Sequence, residues 1–208
     1  MTRAREQAGE LAQRIEALGH EAVVAPLIEI EPAGPREIDV EGYDWVLVTS
    51  PNGARQLARR MRGLPGRIAA IGPGTASALR SDGLEPALVA RTSSQEGLLA
   101  ELPRTGGRLL FVAAEGARTL LPDALSADVV HVYRTKELRP QTFPEADLVA
   151  LASPSAARAY AALGRDIAAV SIGPETTRAA RAAGVTVVAE AGSHDLDSLV
   201  EAIRQAAQ

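Results

Sequence analysis

The chain has 208 residues, enough to bury about 70% of its unfolded surface in one large domain or two small ones. Its net charge of -4 leaves no basic surface for a phosphate backbone, which excludes bulk nucleic-acid binding. The lack of cysteine excludes disulfides, thiolate nucleophiles, zinc-cysteine sites and iron-sulfur clusters. With 46% hydrophobic but only 3% aromatic residues, the core is built from Ala, Val, Leu and Ile. Lys136 is the single lysine, so Arg supplies the positive charge; its planar fork suits carboxylates, although a high genomic GC content explains the same bias. The N-terminus is polar where a signal peptide carries an apolar run, and no apolar stretch approaches a membrane span. A cytoplasmic chain without membrane contact is the expectation.

Ala8, Leu11, Ile15 and Leu18 recur at helical spacing before Gly19, a helix-ending residue, and a β-rich run follows from Ala22 to Ile30. Pro32, Gly34 and Pro35 break regular structure, so the chain turns or crosses to another domain there. Next come a strand (Trp45 to Thr49), a turn (Ser50-Pro51-Asn52-Gly53), a helix (Ala54 to Met61) and a strand (Ile68 to Ile71). Gly72-Pro73 opens a helix from Thr75 to Arg80 that stops at Gly83, ahead of a strand at Ala87 to Val89 and a helix at Ser94 to Leu102. Between this passage and its later copy lie a strand from Arg108 to Val112, a short helix through Leu120 and a β-rich run from Val129 to Tyr133, which mirror the N-terminal helix and the run from Ala22 to Ile30. Strands alternating with helices predict parallel sheets.

The passage then repeats. Asp44 to Arg55 recurs 103 residues later as Asp147 to Arg158, keeping the Asp, the apolar strand, the Ser-Pro and the Arg. Ile71-Gly72-Pro73-x-Thr75 recurs 101 residues later as Ile172-Gly173-Pro174-x-Thr176, and Gly83 as Gly184. Two similar α/β halves follow.

Ser50 and Ser153 each stand between a parallel strand and a Pro, the arrangement of a helix N-cap with Pro at the first helical position. Capping explains either Ser alone. Two copies at matching strand ends also suit a ligand site, because open α/β sheets bind ligands beyond the carboxyl ends of their strands and helix N-termini hold anions. Gly72 and Gly173 let the backbone approach a ligand, and Thr75 and Thr176 put hydroxyls on the helix starts, where capping is again the alternative. Neither a P-loop nor a Gly-x-Gly-x-x-Gly fingerprint is present, so a sugar- or nucleotide-binding reading lacks its motif. His20, His131 and His194 show no metal-ligand spacing; the first two read as structural, while His194 opens the last helix and can reach a cleft. Tyr133 closes the second β-rich run, either packing at a domain junction or offering its phenol to a leaving hydroxyl.

Taken together, the two Ser-Pro turns, the two Ile-Gly-Pro-x-Thr turns and Tyr133 resemble the uroporphyrinogen-III synthase family over nearly the whole chain. The resemblance implies an α/β fold of two similar domains, each a parallel sheet flanked by helices, joined by a two-stranded β linker. Domain 1 would hold residues 1–33 and 137–208 and domain 2 residues 36–131, with linkers at about 32–36 and 132–137. The implied reaction cyclises hydroxymethylbilane, a linear tetrapyrrole with eight carboxylates, inverting the last ring through a spiro intermediate without cofactor or metal. Tyr133 would assist the leaving hydroxyl; Thr75, Thr176, Ser50, Asn52, Gly53, Ser153, Ser155 and Arg3 would bind substrate. A monomer in transient contact with the preceding pathway enzyme is the further expectation. Two departures stand out: the apolar strand that normally precedes Thr2-Arg3 is almost absent, and the Ser94-Gln95-Glu96-Gly97-Leu98 pattern degrades at His194 to Leu199. A non-catalytic two-domain ligand sensor or binding module is the competing reading.

Overall fold

The structure, a computed structural model, describes residues 1–103 and 106–208. In chain order its main elements are α1 (Gly9–Glu16), β1 (Ile28–Pro32), β2 (Ile38–Asp39), β3 (Trp45–Val48), α2 (Pro51–Arg60) and β4 (Met61–Arg62). They continue with β5 (Ile68–Ala70), α3 (Pro73–Ser81), β6 (Leu88–Val89), α4 (Gln95–Glu101), β7 (Leu109–Ala114), α5 (Leu120–Leu125) and β8 (Asp128–Glu137). The last are β9 (Val149–Leu151), α6 (Pro154–Ala161), β10 (Ala169–Ser171), α7 (Pro174–Ala182), β11 (Val187–Glu190) and α8 (Leu196–Ala206). The result is an α/β fold of parallel sheets and helices, and the chain divides into two compact units, Met1–Glu29 with Thr135–Gln208, and Ile30–Arg134. Among the described residues no helix is long and apolar enough to cross a membrane.

In the unit of Ile30–Arg134, β3 is the centre of the sheet order β1-β8-β7-β3-β5-β6, pairing in parallel with β5 and β7. All four residues of β3 are buried, as expected of a parallel strand covered on both faces. Val46 and Val48 pack with Leu57 and Leu79 on one face, while Trp45 and Leu47 pack with Leu98, Phe111 and Leu121 on the other. Complete burial of a side chain such as Leu47 contributes about 1.5–3 kcal/mol.

In the other unit β9, β10 and β11 form a parallel three-stranded sheet. Thr2, fully buried, takes up the position beside it: its N–H and hydroxyl both bond the Ala150 carbonyl, at 3.4 and 2.9 Å. On the other side Ala25 and Leu27 donate to Met1 and Thr2. Thr2 thus bonds β9 at Ala150 without forming a strand of its own, in keeping with the near absence of an apolar run before Thr2-Arg3. The preceding α1 runs into Gly19, whose φ of 86° is the left-handed conformation that ends helices.

Element boundaries depart from the sequence reading for identifiable reasons. The helices after both Ser-Pro turns and both Gly-Pro turns start at the Pro itself, whose fixed φ suits the first helical position. The short helix expected to end at Leu120 starts there, because Gln95, at 5% exposure, accepts from the Leu121 N–H and donates to the Arg118 carbonyl. The run expected to begin at Ala22 is a strand only from Ile28. Tyr133 does not close β8, which continues to Glu137 through cross-strand ion pairs of Arg134 with Glu31 and Lys136 with Glu29.

The break at Pro32–Pro35 is held by a residue far away in sequence. Arg60, at the end of α2, donates to the carbonyls of Ala33 (2.7 Å), Pro35 (3.0 Å) and Val132. Burial lowers its proton affinity. Gly34 lies so close to β8 that a Cβ would sit 2.0 Å from the His131 carbonyl oxygen, and its φ of 70° is one that side chains resist.

Candidate functional site

In the unit of Ile30–Arg134, adjacent parallel strands β3 and β5 each end in a turn that starts a helix. Ser50 is extended, and its Oγ accepts from the Gly53 N–H at 2.9 Å, so the capping role of Ser50 holds. Gly53's amide is therefore engaged by the cap. Half-buried Ser50 also meets the Tyr133 hydroxyl at 2.9 Å, and Asn52 bonds the same hydroxyl. Three of the expected residues, Ser50, Asn52 and Tyr133, form one cluster.

Tyr133 is only 7% exposed, and burial raises the pKa of its phenol above the ordinary value. The contacts with Ser50 and Asn52 pull in the opposite direction, because donors to the phenol oxygen favour the phenolate. Burial wins, so Tyr133 keeps its proton at neutral pH. A protonated phenol whose oxygen is supported by two polar side chains can donate to a departing group and tolerate the charge left behind.

The second turn of this unit places Thr75 in the first turn of α3, after Gly72 and Pro73. Thr75 is 3% exposed. The first N–H groups of an α-helix have no partners within it, so the starts of α2 and α3 present donors beyond adjacent strand ends.

The unit of Met1–Glu29 with Thr135–Gln208 repeats the pattern at β9 and β10, which also pair in parallel. Ser153 accepts from the Ala156 N–H at 3.1 Å and meets the Ser155 hydroxyl at 3.2 Å. Thr176, in the first turn of α7, is 2% exposed. His194 lies over Gly173, where a Cβ would meet its Cδ2 at 3.8 Å. Desolvation lowers the pKa of His194, Asp195 opposes this, and the charge of half-buried Arg3 lowers it further. The structure thus brings Arg3, His194 and the second Gly-Pro turn together. Among the described residues no group of three His, Cys, Asp or Glu side chains could hold a metal ion.

Two features escaped the sequence reading. Arg60 and its carbonyl partners are too far apart in sequence for any local pattern. The other is a set of hydroxyls, Ser171 and Thr177, beside Glu190. Its signal was available at the repeat spacing of 101, where the first copy has Ala70, Ala76 and Val89.

Comparison with known proteins agrees over most of the chain. The family model described as uroporphyrinogen-III synthase HemD matches residues 9–201. A protein of Methanocaldococcus jannaschii, named provisionally as a uroporphyrinogen-III synthase, is 27% identical over 147 residues, which are 66% of this chain and 61% of that protein. The match therefore spans less than two thirds of that relative's length. Among solved structures, a mutant uroporphyrinogen III synthase from the extremely thermophilic bacterium Thermus thermophilus has a TM-score of 0.60 at 19% identity, covering 98% of this chain and 96% of the other. The uroporphyrinogen-III synthetase of Helicobacter pylori 26695 has a TM-score of 0.64 at 18% identity, covering 89% and 92%. At these identities the two structures establish a shared fold.

Proposed function

The chain belongs to the uroporphyrinogen-III synthase family, and from that premise we propose that it cyclises hydroxymethylbilane with inversion of the last pyrrole ring, in haem biosynthesis. The observation that carries the proposal is the Tyr133 hydroxyl, buried, protonated and held by Ser50 and Asn52 within a chain whose family match runs over residues 9–201. The electron pair of a pyrrole nitrogen expels the substrate's hydroxyl group as Tyr133 donates a proton to it, so water leaves, an azafulvenium cation remains, and the Tyr133 phenolate takes back the proton released when the macrocycle rearomatises. Ring D then attacks through its substituted carbon, and the spiro intermediate fragments and recloses. Such a step needs only modest acid assistance, which suits a site built on a phenol.

The remaining residues bind and orient. In one unit the first-turn N–H groups of α2 and α3 with the Ser50 hydroxyl, and in the other those of α6 and α7 with the Ser153 and Ser155 hydroxyls, are each suited to acetate and propionate carboxylates. Arg3 adds a cation beside the second Gly-Pro turn. Thr75 and Thr176 orient carboxylates or pyrroles from the helix starts. In this reading the two compact units are the family's two domains and the stretches around β1 and β8 are its linker. The substrate closes to the uninverted isomer without help, so orienting ring D and limiting water are the main tasks. That spontaneous loss also favours direct transfer from the enzyme that makes the substrate. A monomer acting in the cytoplasm completes the proposal.

The test is to generate hydroxymethylbilane in situ, add the protein, oxidise the products and separate the uroporphyrin isomers chromatographically. Mostly isomer III is the expected result. Isomer I alone from folded protein would overturn the proposal and favour a binding module.

A further inference from the structure

Ser171 ends β10 and is fully buried; Thr177, in the first turn of α7, is 6% exposed. Their hydroxyl oxygens are 2.5 Å apart, and the Thr177 hydroxyl also bonds the Glu190 carboxylate. Thr177 donates its single hydroxyl proton to Glu190, so Ser171 must donate to Thr177. The direction of the relay is thereby fixed. Glu190 is the register partner of Ser171 on β11, and the Ser171 carbonyl accepts from Ala191 at 2.9 Å. The relay thus joins the sheet to the start of α7 across Ile172–Thr176.

At the repeat spacing of 101 the first copy has Ala70, Ala76 and Val89 in these positions. Ala70 and Ala76 are fully buried, and the backbone closure is the same: Ala76 donates to Gly72 and Thr177 to Gly173, both at 3.0 Å. The turn therefore forms without a relay. Buried hydroxyls are costly unless bonded, so the second copy carries polar groups its fold does not need. The copies also differ on the outer side of the turn. A Cβ at Gly72 would meet Ser93 Oγ at 2.1 Å, whereas at Gly173 the nearest neighbour is His194 at 3.8 Å. The first turn is wedged by its loop; the second is not.

We propose that Ser171, Thr177 and Glu190 are positioning residues that hold the second Gly-Pro turn from the sheet side and so fix the hydroxyl and backbone N–H of Thr176 against the substrate. This rests on the synthase reading. Thr176 lies between Gly173 and Thr177, so movement of the turn moves it directly, and a displacement of about 1 Å at a positioning group can reduce a rate roughly 100-fold.

Three variants test the relay, each assayed for kcat, KM, isomer III fraction and melting temperature. Thr177→Val removes the central hydroxyl while keeping the branched shape; kcat falls by about 10-fold or more, the isomer III fraction drops and the melting temperature is lower. The triple variant S171A/T177A/E190V installs the first copy's apolar solution; it regains melting temperature while kcat stays low. Thr177→Ser preserves the hydroxyl and retains both. Full activity in Thr177→Val, or recovery of kcat together with stability in the triple variant, would reduce the relay to a structural element. Wild-type protein yielding only isomer I would overturn the synthase reading and this role with it, whereas active wild type with unaffected variants overturns the relay alone.

Discussion

Replacing Tyr133 by Phe separates the chemistry of its hydroxyl from the packing of its ring. The ring is 7% exposed and stays, so the substitution removes one oxygen and its bonds to Ser50 and Asn52. Ser50 still accepts from Gly53 at 2.9 Å and is half-buried, so water can replace the lost partner. The loss in stability is therefore about 1 kcal/mol, the net value of an ordinary hydrogen bond. The kinetic effect should be larger. A positioned general acid contributes roughly 100- to 10,000-fold, and because the pyrrole itself drives departure of the hydroxyl, the low end applies: about 100-fold in kcat, or 2.7 kcal/mol. KM should change little. Steady-state turnover of hydroxymethylbilane with isomer separation reads the first effect, and chemical denaturation the second. A Tyr133→Phe enzyme turning over within about threefold of wild type would refute the role of Tyr133 as acid.

Two further outcomes are expected. Gly72→Ala should destabilise the protein by about 1–3 kcal/mol, because the new Cβ would lie 2.1 Å from Ser93 Oγ and 2.9 Å from its Cβ. Gly173→Ala, facing only His194 at 3.8 Å, should be nearly neutral; equal losses in thermal melts would show that the two turns are packed alike. The lowered pKa of His194 means that the folded protein holds this proton less tightly than the unfolded chain. Stability is then at its full value above the ordinary histidine pKa of about 6.5 and decreases as the pH falls below it. His194→Gln should flatten that decrease, and denaturation curves from about pH 7.5 to about pH 5 with the same slope in both proteins would count against it.

The turns were legible because their chemistry is local. Ser50 caps a residue three positions ahead, Ser153 does the same, and Pro follows each of them, so four consecutive residues carry the whole signal. Arg60 sends its guanidinium to residues 27 and 72 positions away, and Gln95 reaches across 23, distances at which no short pattern is informative. The end of β8 was misplaced for a related reason. Arg134 and Lys136 look like the start of a polar loop until β1 supplies Glu31 and Glu29 opposite them.

The repeat itself was most informative where the copies differ. The segment from His194 to Leu199 reads as a degraded version of Ser94 to Leu98, yet the cap survives in changed chemistry. Ser94 accepts from Gly97 at 3.0 Å, and Asp195 accepts from Ser198 at 2.8 Å. What is lost is Gln95, replaced by Leu196, and the loss follows from what each residue packs against. Gln95 holds the start of α5, whereas Leu196 packs into the apolar core around Leu199 and Ile203. The same logic applies in reverse to Ser171, Thr177 and Glu190, where polar groups replace apolar ones over an unchanged backbone. An apolar substitute that leaves the fold intact means that folding did not require the polar set, and the requirement has to be sought in what the second turn holds.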